Sequence, residues 1–78
     1  MSANEMEKEL TDVLVLILGG PVTASTSRAT DPGWDSLKHI QIVFSIEERF
    51  GVRFTEEEIP QLDSFGKLAD YLRRPHAP

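Results

Sequence analysis

Apolar residues recur with the period of an α-helix in three stretches of the chain. Between residues 5 and 18 they fall at positions i, i+3, i+4, i+7 and i+8, which is the pattern of one buried helix face. The apolar positions of this stretch are Leu10, Val13, Leu14, Ile17 and Leu18. Ser2 or Asn4 can cap the start of this helix, and Gly19-Gly20-Pro21 is typical of a helix end.

The second and third periodic stretches each follow an Asp-Ser pair. One runs from about Ser36 to Phe50, with Gly51 at its expected stop. The other lies within residues 63–74, and its apolar face consists of Phe65, Leu68, Ala69 and Leu72. Both stretches therefore predict amphipathic helices.

The segments between these helices have no helical period. Residues 22–33, VTASTSRATDPG, are small and polar, and they predict a loop that is long for a domain of this size. The sequence from Thr55 to Glu58 has the form of a capping box. The helix that it opens must be brief, because Pro60 follows almost at once.

These elements and the length of 78 residues predict an all-α fold in one small domain. We expect residues 1–78 to form a four-helix bundle of three main helices and one short helix, with a flexible tail from about residue 74 to 78. The longest apolar run, from Val13 to Leu18, is far shorter than the ~20 residues of a membrane helix. With an acidic start in place of a basic secretory signal, the chain is expected to be cytoplasmic, with no membrane partner. It is also expected to be a monomer.

Charge and composition exclude several classes of function. The chain has 13 aspartate and glutamate residues and 8 lysine and arginine residues, which give a net charge of −5. This balance argues against a nucleic-acid partner and is compatible with a basic partner protein. The chain has no cysteine, so it forms no disulfide and no thiolate zinc site. Any thiol-dependent role would need a thiol from outside.

The second helix carries more apolar surface than a core stripe needs. At about 100° per residue, one group faces the core: His39, Ile42, Val43, Ile46 and Phe50. A second group lies a third of a turn or more away: Leu37, Ile40 and Phe44, with Gln41, Glu47 and Glu48 around it. We expect Leu37 and Phe44 to be exposed, whereas Ile40 lies between the groups and its burial is left open. An exposed apolar patch with a charged rim is typical of a docking surface.

Ser36 begins this helix, and three interpretations compete for it. It can be a simple cap, because Asp63-Ser64 repeats the same pair before the third helix, where capping suffices. It can pair with His39 three residues later as a Ser–His nucleophile. That enzymatic hypothesis is disfavoured, because no residue is placed to orient His39 and no Gly-x-Ser-x-Gly elbow is present. It can also be a site of modification.

The wider sequence favours modification. GWDSLKHIQIVFSIEERFGVRF, followed by TEEEI and FGKLADYL, resembles the acyl carrier proteins over residues 33–73. The family's mark is Asp-Ser-Leu, then aliphatic residues, then Glu-Glu-x-Phe, here at residues 35–37 and 47–50. The resemblance implies a four-helix carrier without catalysis of its own. It also implies that a phosphopantetheinyl transferase attaches 4′-phosphopantetheine from coenzyme A to Ser36, with Asp35 and Leu37 in its recognition.

The resemblance further implies partners and a path for cargo. An acyl or aminoacyl group would travel as a thioester from an activating enzyme to a downstream synthase or transferase of a fatty-acid, polyketide or related pathway. The docking patch would consist of Leu37, Ile40, Gln41, Phe44, Glu47 and Glu48. An acyl chain would lie between the helices past Ile46, Ile59, Leu62 and Leu68. The alternative is a carrier-like helical module that binds partners and is never modified.

The chain also departs from the common fatty-acid carriers. Residues 29–34 replace the usual Phe-x-x-Asp-Leu-Gly, and Trp34 is expected to pin the loop in place of the missing anchors. Lys38 and Gln41 stand where acids are frequent in those carriers. These departures favour a dedicated carrier for a specialised pathway.

Overall fold

The computed structural model describes residues 2–74, which form three α-helices and one short 3-10 helix. The helices are α1 (Ala3–Leu18), α2 (Ser36–Phe50), the 3-10 helix (Ile59–Gln61) and α3 (Phe65–Arg73). The predicted all-α fold is confirmed, with the short fourth helix present as a single 3-10 turn. Most of the predicted tail, residues 75–78, lies outside the described residues.

The helix ends follow the capping residues of the sequence. The Ser2 hydroxyl accepts the Glu5 backbone N–H at 3.2 Å, so Ser2 rather than Asn4 caps α1. Gly19 and Gly51 end α1 and α2 with φ of 76° and 67°, the left-handed conformation that glycine adopts without steric cost. These ends confirm both predicted stops.

The capping box before the 3-10 helix forms as predicted. The Thr55 N–H donates to Glu58 Oε1 at 2.8 Å, and the Glu58 N–H donates to Thr55 Oγ1 at 3.2 Å. The helix that follows is shorter than this box suggests, because residues 56–58 form a turn and the 3-10 helix covers only Ile59–Gln61. Pro60 has no N–H to extend it.

One hydrophobic core joins all the elements. Its buried apolar side chains are Met6, Leu10, Val13, Leu14, Trp34, Ile42, Val43, Ile46, Phe54, Leu62, Phe65, Leu68 and Ala69. α1 packs against both α2 and α3. Ion pairs from Glu9 to Arg49 (2.9 Å) and from Glu7 to Arg73 (2.6 Å) span the same contacts. Because these pairs are exposed, each stabilises the fold by at most about 1 kcal/mol. The buried core therefore contributes most of the stability.

The long loop between α1 and α2 is tied to the bundle. An isolated antiparallel bridge pairs Ser27 with Ser64 at the start of α3. Its hydrogen bonds run from the Arg28 N–H to the Asp63 carbonyl and from the Phe65 N–H to the Thr26 carbonyl, each at 2.9 Å. The loop therefore crosses beside the first residues of both α2 and α3.

Trp34 fixes the far end of this loop. Its side chain is buried in the core with 2% of its surface exposed. Its indole Nε1–H donates to His39 Nδ1 at 3.0 Å, and the two rings stack with centroids 6.0 Å apart. The expectation that Trp34 pins the loop is confirmed.

Candidate functional site

The two Asp-Ser pairs of the chain cap their helices in different registers. At α2, Asp35 is the cap: its Oδ1 accepts the Lys38 N–H at 2.9 Å, and its carbonyl accepts the His39 N–H. At α3 the serine is the cap, because the Ser64 hydroxyl accepts the Lys67 N–H at 3.1 Å. The Ser36 hydroxyl is thus released from capping, although the same dipeptide precedes both helices.

Ser36 is the first residue of α2 and is exposed. In the first turn of a helix the backbone N–H groups have no intrahelical acceptor, and the helix dipole there favours negative charge. The Ser36 hydroxyl oxygen accepts a hydrogen bond from Arg28 Nη2 at 2.8 Å. The site therefore combines an accessible hydroxyl, a helix N-terminus and a guanidinium.

Arg28 was missed by the sequence analysis. It is the one basic residue of the loop sequence VTASTSRATDPG, and this is the signal that could have singled it out. Its contact with Ser36 depends on how the loop is tied to α3, which no periodic pattern encodes.

His39 does not serve Ser36. The side chain is 3% exposed, and both ring nitrogens are engaged. Nδ1 accepts the Trp34 indole N–H, so the proton of the neutral ring lies on Nε2, which donates to the Ile59 carbonyl at 2.6 Å. His39 links the loop, α2 and the 3-10 helix. A Ser–His nucleophile is excluded by this geometry.

The predicted docking patch is open to solvent. Leu37 and Phe44 are 66% and 60% exposed, which confirms that both side chains face solvent. Ile40, whose burial the pattern left open, is 41% exposed. Gln41 and Glu48 are exposed beside them. Three large apolar side chains thus share one face of α2 next to Ser36, with polar groups around them.

Glu47 differs from its neighbour Glu48. It is half-buried, and its Oε2 accepts the Phe54 backbone N–H at 3.0 Å. One carboxylate oxygen therefore holds the segment after α2. The sequence pattern placed both glutamates on the rim and did not show this structural role.

Four residues were predicted to line a path for an acyl chain. Ile46 and Leu68 are fully covered in the core, Leu62 is 8% exposed, and Ile59 is partly buried against the same core. A groove of about 290 Å³ lies at the surface nearby, and Leu62 is the member of the four that lines it. The rest of its lining is mostly polar: Glu58, Gln61, Lys67, Asp70, Tyr71 and Arg74.

Tyr71 lines this groove with its phenol held in place. The hydroxyl donates to the Arg53 carbonyl at 3.0 Å. Burial raises the pKa of Tyr71 above its ordinary value, and the nearby carboxylates of Glu58 and Glu47 raise it further. The phenol therefore stays a neutral hydrogen-bond donor.

Residues 2–74 offer neither a metal site nor a membrane span. No group of three or more histidine, aspartate or glutamate side chains there is arranged to hold a metal ion. In the same part of the chain, no helix is both long and apolar enough to cross a membrane. The exposed serine at the start of α2 remains the candidate site.

Comparison with known proteins identifies the family of this chain. Residues 8–72 match the family model described as "phosphopantetheine attachment site". The chain is 31% identical over 77 residues to an acyl carrier protein of Akkermansia muciniphila, covering 95% of this chain and 96% of the relative. It is 31% identical over 75 residues to an acyl carrier protein of Acidothermus cellulolyticus, covering 92% and 89%. It is 30% identical over 74 residues to a mitochondrial acyl carrier protein of Dictyostelium discoideum, covering 87% and 62%. The chain therefore belongs to the acyl carrier protein family, whose members bear covalent phosphopantetheine and act as carriers rather than enzymes.

Proposed function

We propose that Ser36 is the residue of this carrier that bears 4′-phosphopantetheine. The observation that carries the proposal is the register of the cap: Asp35 satisfies the first turn of α2, so the exposed Ser36 hydroxyl is free to form an ester. A transferase would join the Ser36 oxygen to the phosphorus of the arm while the pyrophosphate bond of coenzyme A breaks. Adenosine 3′,5′-bisphosphate leaves, and the hydroxyl proton passes to a base of the transferase or to water. As part of this proposal, residues 1–78 act as one monomeric carrier domain.

The residues around Ser36 fit the group. The phosphodiester is an anion, and it would meet the N-terminus of α2 and the guanidinium of Arg28, both of which favour negative charge. Asp35 caps the helix with its own carboxylate, which leaves the Ser36 hydroxyl out of the cap. When attached, the arm supplies the thiol for a thioester, which this cysteine-free chain lacks.

The face formed by Leu37, Ile40 and Phe44 is proposed as the surface that partners contact. Its apolar centre would bury against the transferase, an acyl- or aminoacyl-activating enzyme, and a downstream synthase or transferase. Glu47 and Glu48, together with the net charge of −5, would attract basic partner residues. Such charges mainly speed encounter and set orientation, so association should slow as salt is added.

Replacing Phe44 by alanine is expected to raise the KM of the transferase for the carrier about tenfold or more, as loss of an interface anchor does. Because Phe44 is 60% exposed, the free energy of unfolding should change by less than about 1 kcal/mol. Leu16→Ala is the matched control, since Leu16 is 74% exposed on α1 and should leave the KM unchanged. Steady-state loading kinetics and urea denaturation measure both effects. A loss of about 3 kcal/mol or more would place Phe44 in the core instead.

The cargo path is proposed to begin beside Leu62. Ile46 and Leu68 are fully covered, so an acyl chain that sheltered between the helices would have to separate side chains of the packed core. Short or polar cargo would avoid this cost and stay outside.

We also propose that the carrier serves a specialised pathway. The loop that precedes Ser36 is anchored by Trp34 and Arg28, and Lys38 makes the start of α2 less acidic than in common fatty-acid carriers. Exchange of acyl groups with housekeeping fatty-acid synthase enzymes should therefore be slow. Efficient exchange with those enzymes would contradict this part of the proposal.

The proposed function is tested by loading the protein itself. The chain is incubated with coenzyme A, Mg²⁺ and a broad-specificity transferase, and its intact mass is measured. A gain of one phosphopantetheine is expected. Absence of any gain with several transferases that load a known carrier would favour the alternative, an unmodified interaction module that uses the same face of α2.

A further inference from the structure

Arg28 is held in place by its backbone before its side chain makes any contact. Its N–H donates to the Asp63 carbonyl at 2.9 Å, within the bridge that pairs Ser27 with Ser64. From this anchor at the start of α3, the side chain reaches the start of α2, where Nη2 lies 2.8 Å from the Ser36 hydroxyl oxygen. The backbone that carries the guanidinium is thus hydrogen-bonded to the start of α3, while the guanidinium itself reaches Ser36.

Within residues 2–74, no ion pair joins this guanidinium to a carboxylate. The ion pairs found among residues 2–74 involve Arg49, Lys67 and Arg73, and none of them includes Arg28. The acidic residues nearest to Arg28 in sequence bind backbone groups: Asp31 accepts the Gly33 N–H, and Asp35 accepts the Lys38 N–H. A neutral hydroxyl is a weak partner for a group that forms its strongest bonds with carboxylates and phosphates.

We infer that Arg28 binds the phosphodiester that links the arm to Ser36; this inference rests on the proposed function. On loading, the Ser36 oxygen becomes an ester oxygen, and the charged oxygens of the phosphodiester lie on the phosphorus atom bonded to it. The guanidinium that now donates to the hydroxyl has only to shift slightly to reach them. The resulting bonds would join two ionised groups and could be bidentate, whereas the present bond joins the guanidinium to one neutral hydroxyl oxygen.

This contact would make the loop part of the loaded state. Arg28 joins the start of α3 to the start of α2, so pairing with the phosphodiester closes a link between loop, helix and arm. The base of the arm would be held at the protein surface, while the remainder with its thiol stays free to enter partner enzymes. Loading should therefore stabilise the fold, which a freely swinging arm would not do.

The test compares apo and loaded forms of three proteins: wild type, Arg28→Gln and Arg53→Gln. Arg53 lies beyond the far end of α2, whose 15 residues span about 20 Å at 1.5 Å per residue, and its exposed side chain makes it a control for loss of one charge. Thermal unfolding and the ³¹P chemical shift of the phosphodiester are measured at low and high salt. At low salt, loading should raise the Tm of the wild type by about 5 °C. The control variant Arg53→Gln should show the same rise. Arg28→Gln should lose most of that gain and should shift the ³¹P resonance.

The outcomes separate this inference from the proposed function. If no phosphopantetheine is gained at Ser36, the proposed function fails and the inference falls with it. If Arg28→Gln loads fully and keeps both the Tm gain and the wild-type ³¹P shift, the inference is overturned while the function stands. Equal losses in Arg53→Gln would show a general charge effect and also overturn it.

A measurement on the wild type alone guards against a misfolded variant. The guanidinium resonances of ¹⁵N-labelled Arg28 should move downfield in the proton dimension on loading, as expected when a neutral acceptor is replaced by an anionic one. Unchanged Arg28 resonances in the loaded protein would contradict the inference. Arg28→Lys, which keeps the charge without the planar fork, should retain only part of the Tm gain.

Discussion

Ser36→Ala is expected to abolish attachment of phosphopantetheine while changing the free energy of unfolding by less than about 0.5 kcal/mol. The hydroxyl is the proposed point of attachment, so its removal leaves no oxygen to form the ester. The fold should be little affected because Ser36 is exposed and the cap of α2 belongs to Asp35. The loss of Arg28's hydrogen bond at an exposed site should cost little. Intact mass after loading and urea denaturation measure the two quantities.

Ser64→Ala is the matched control, with the opposite expected result. Ser64 caps α3 with its hydroxyl, so its loss should lower the free energy of unfolding by about 1 kcal/mol. Loading should be unaffected. The account would be contradicted if Ser36→Ala still gained phosphopantetheine, or if Ser64→Ala prevented loading of a folded protein.

Trp34→Ala is expected to destabilise the domain by about 3–5 kcal/mol, the usual cost of removing a buried aromatic side chain. For a domain of this size that is most of the available stability, so much of the protein should be unfolded without denaturant. Two losses add: the 2%-exposed indole leaves a cavity, and His39 Nδ1 loses its donor. Circular dichroism with urea denaturation measures the effect without relying on tryptophan fluorescence.

Two further variants separate packing from hydrogen bonding at Trp34. Trp34→Phe keeps part of the ring volume but removes the indole N–H, so it should cost less than Trp34→Ala and more than about 1 kcal/mol. Phe44→Ala, a loss of similar apolar area at a 60% exposed position, should cost less than either. If Trp34→Ala lost less than about 1 kcal/mol, the loop would not be anchored as described.

The helices could be predicted from the sequence because their signals are local. The apolar period and the glycine at its end placed α2 at Ser36–Phe50, which the structure confirms. α1 begins at Ala3, because Ser2, the first of its two candidate caps, supplies the cap. The period also predicted that Leu37 and Phe44 are exposed. It left Ile40 open, because a helical wheel gives a direction and not the neighbours that cover it.

The details of the site were harder to predict because they depend on contacts between distant parts of the chain. Asp and Ser are both good caps, so neither Asp-Ser pair shows in sequence which residue takes that role. The contact of Arg28 with Ser36 follows from a bridge between Ser27 and Ser64, across a loop without period. The dual role of Glu47 likewise depends on where the Phe54 backbone lies.

The cap register at α2 is proposed to present Ser36 for modification. The most direct measurement is tandem mass spectrometry of the loaded wild-type protein, with the arm localised to a single residue by fragment ions. Phosphopantetheine is expected on Ser36 and not on Ser64, although both follow an aspartate at the start of a helix. An arm on Ser64 or on any residue other than Ser36 would contradict this proposal.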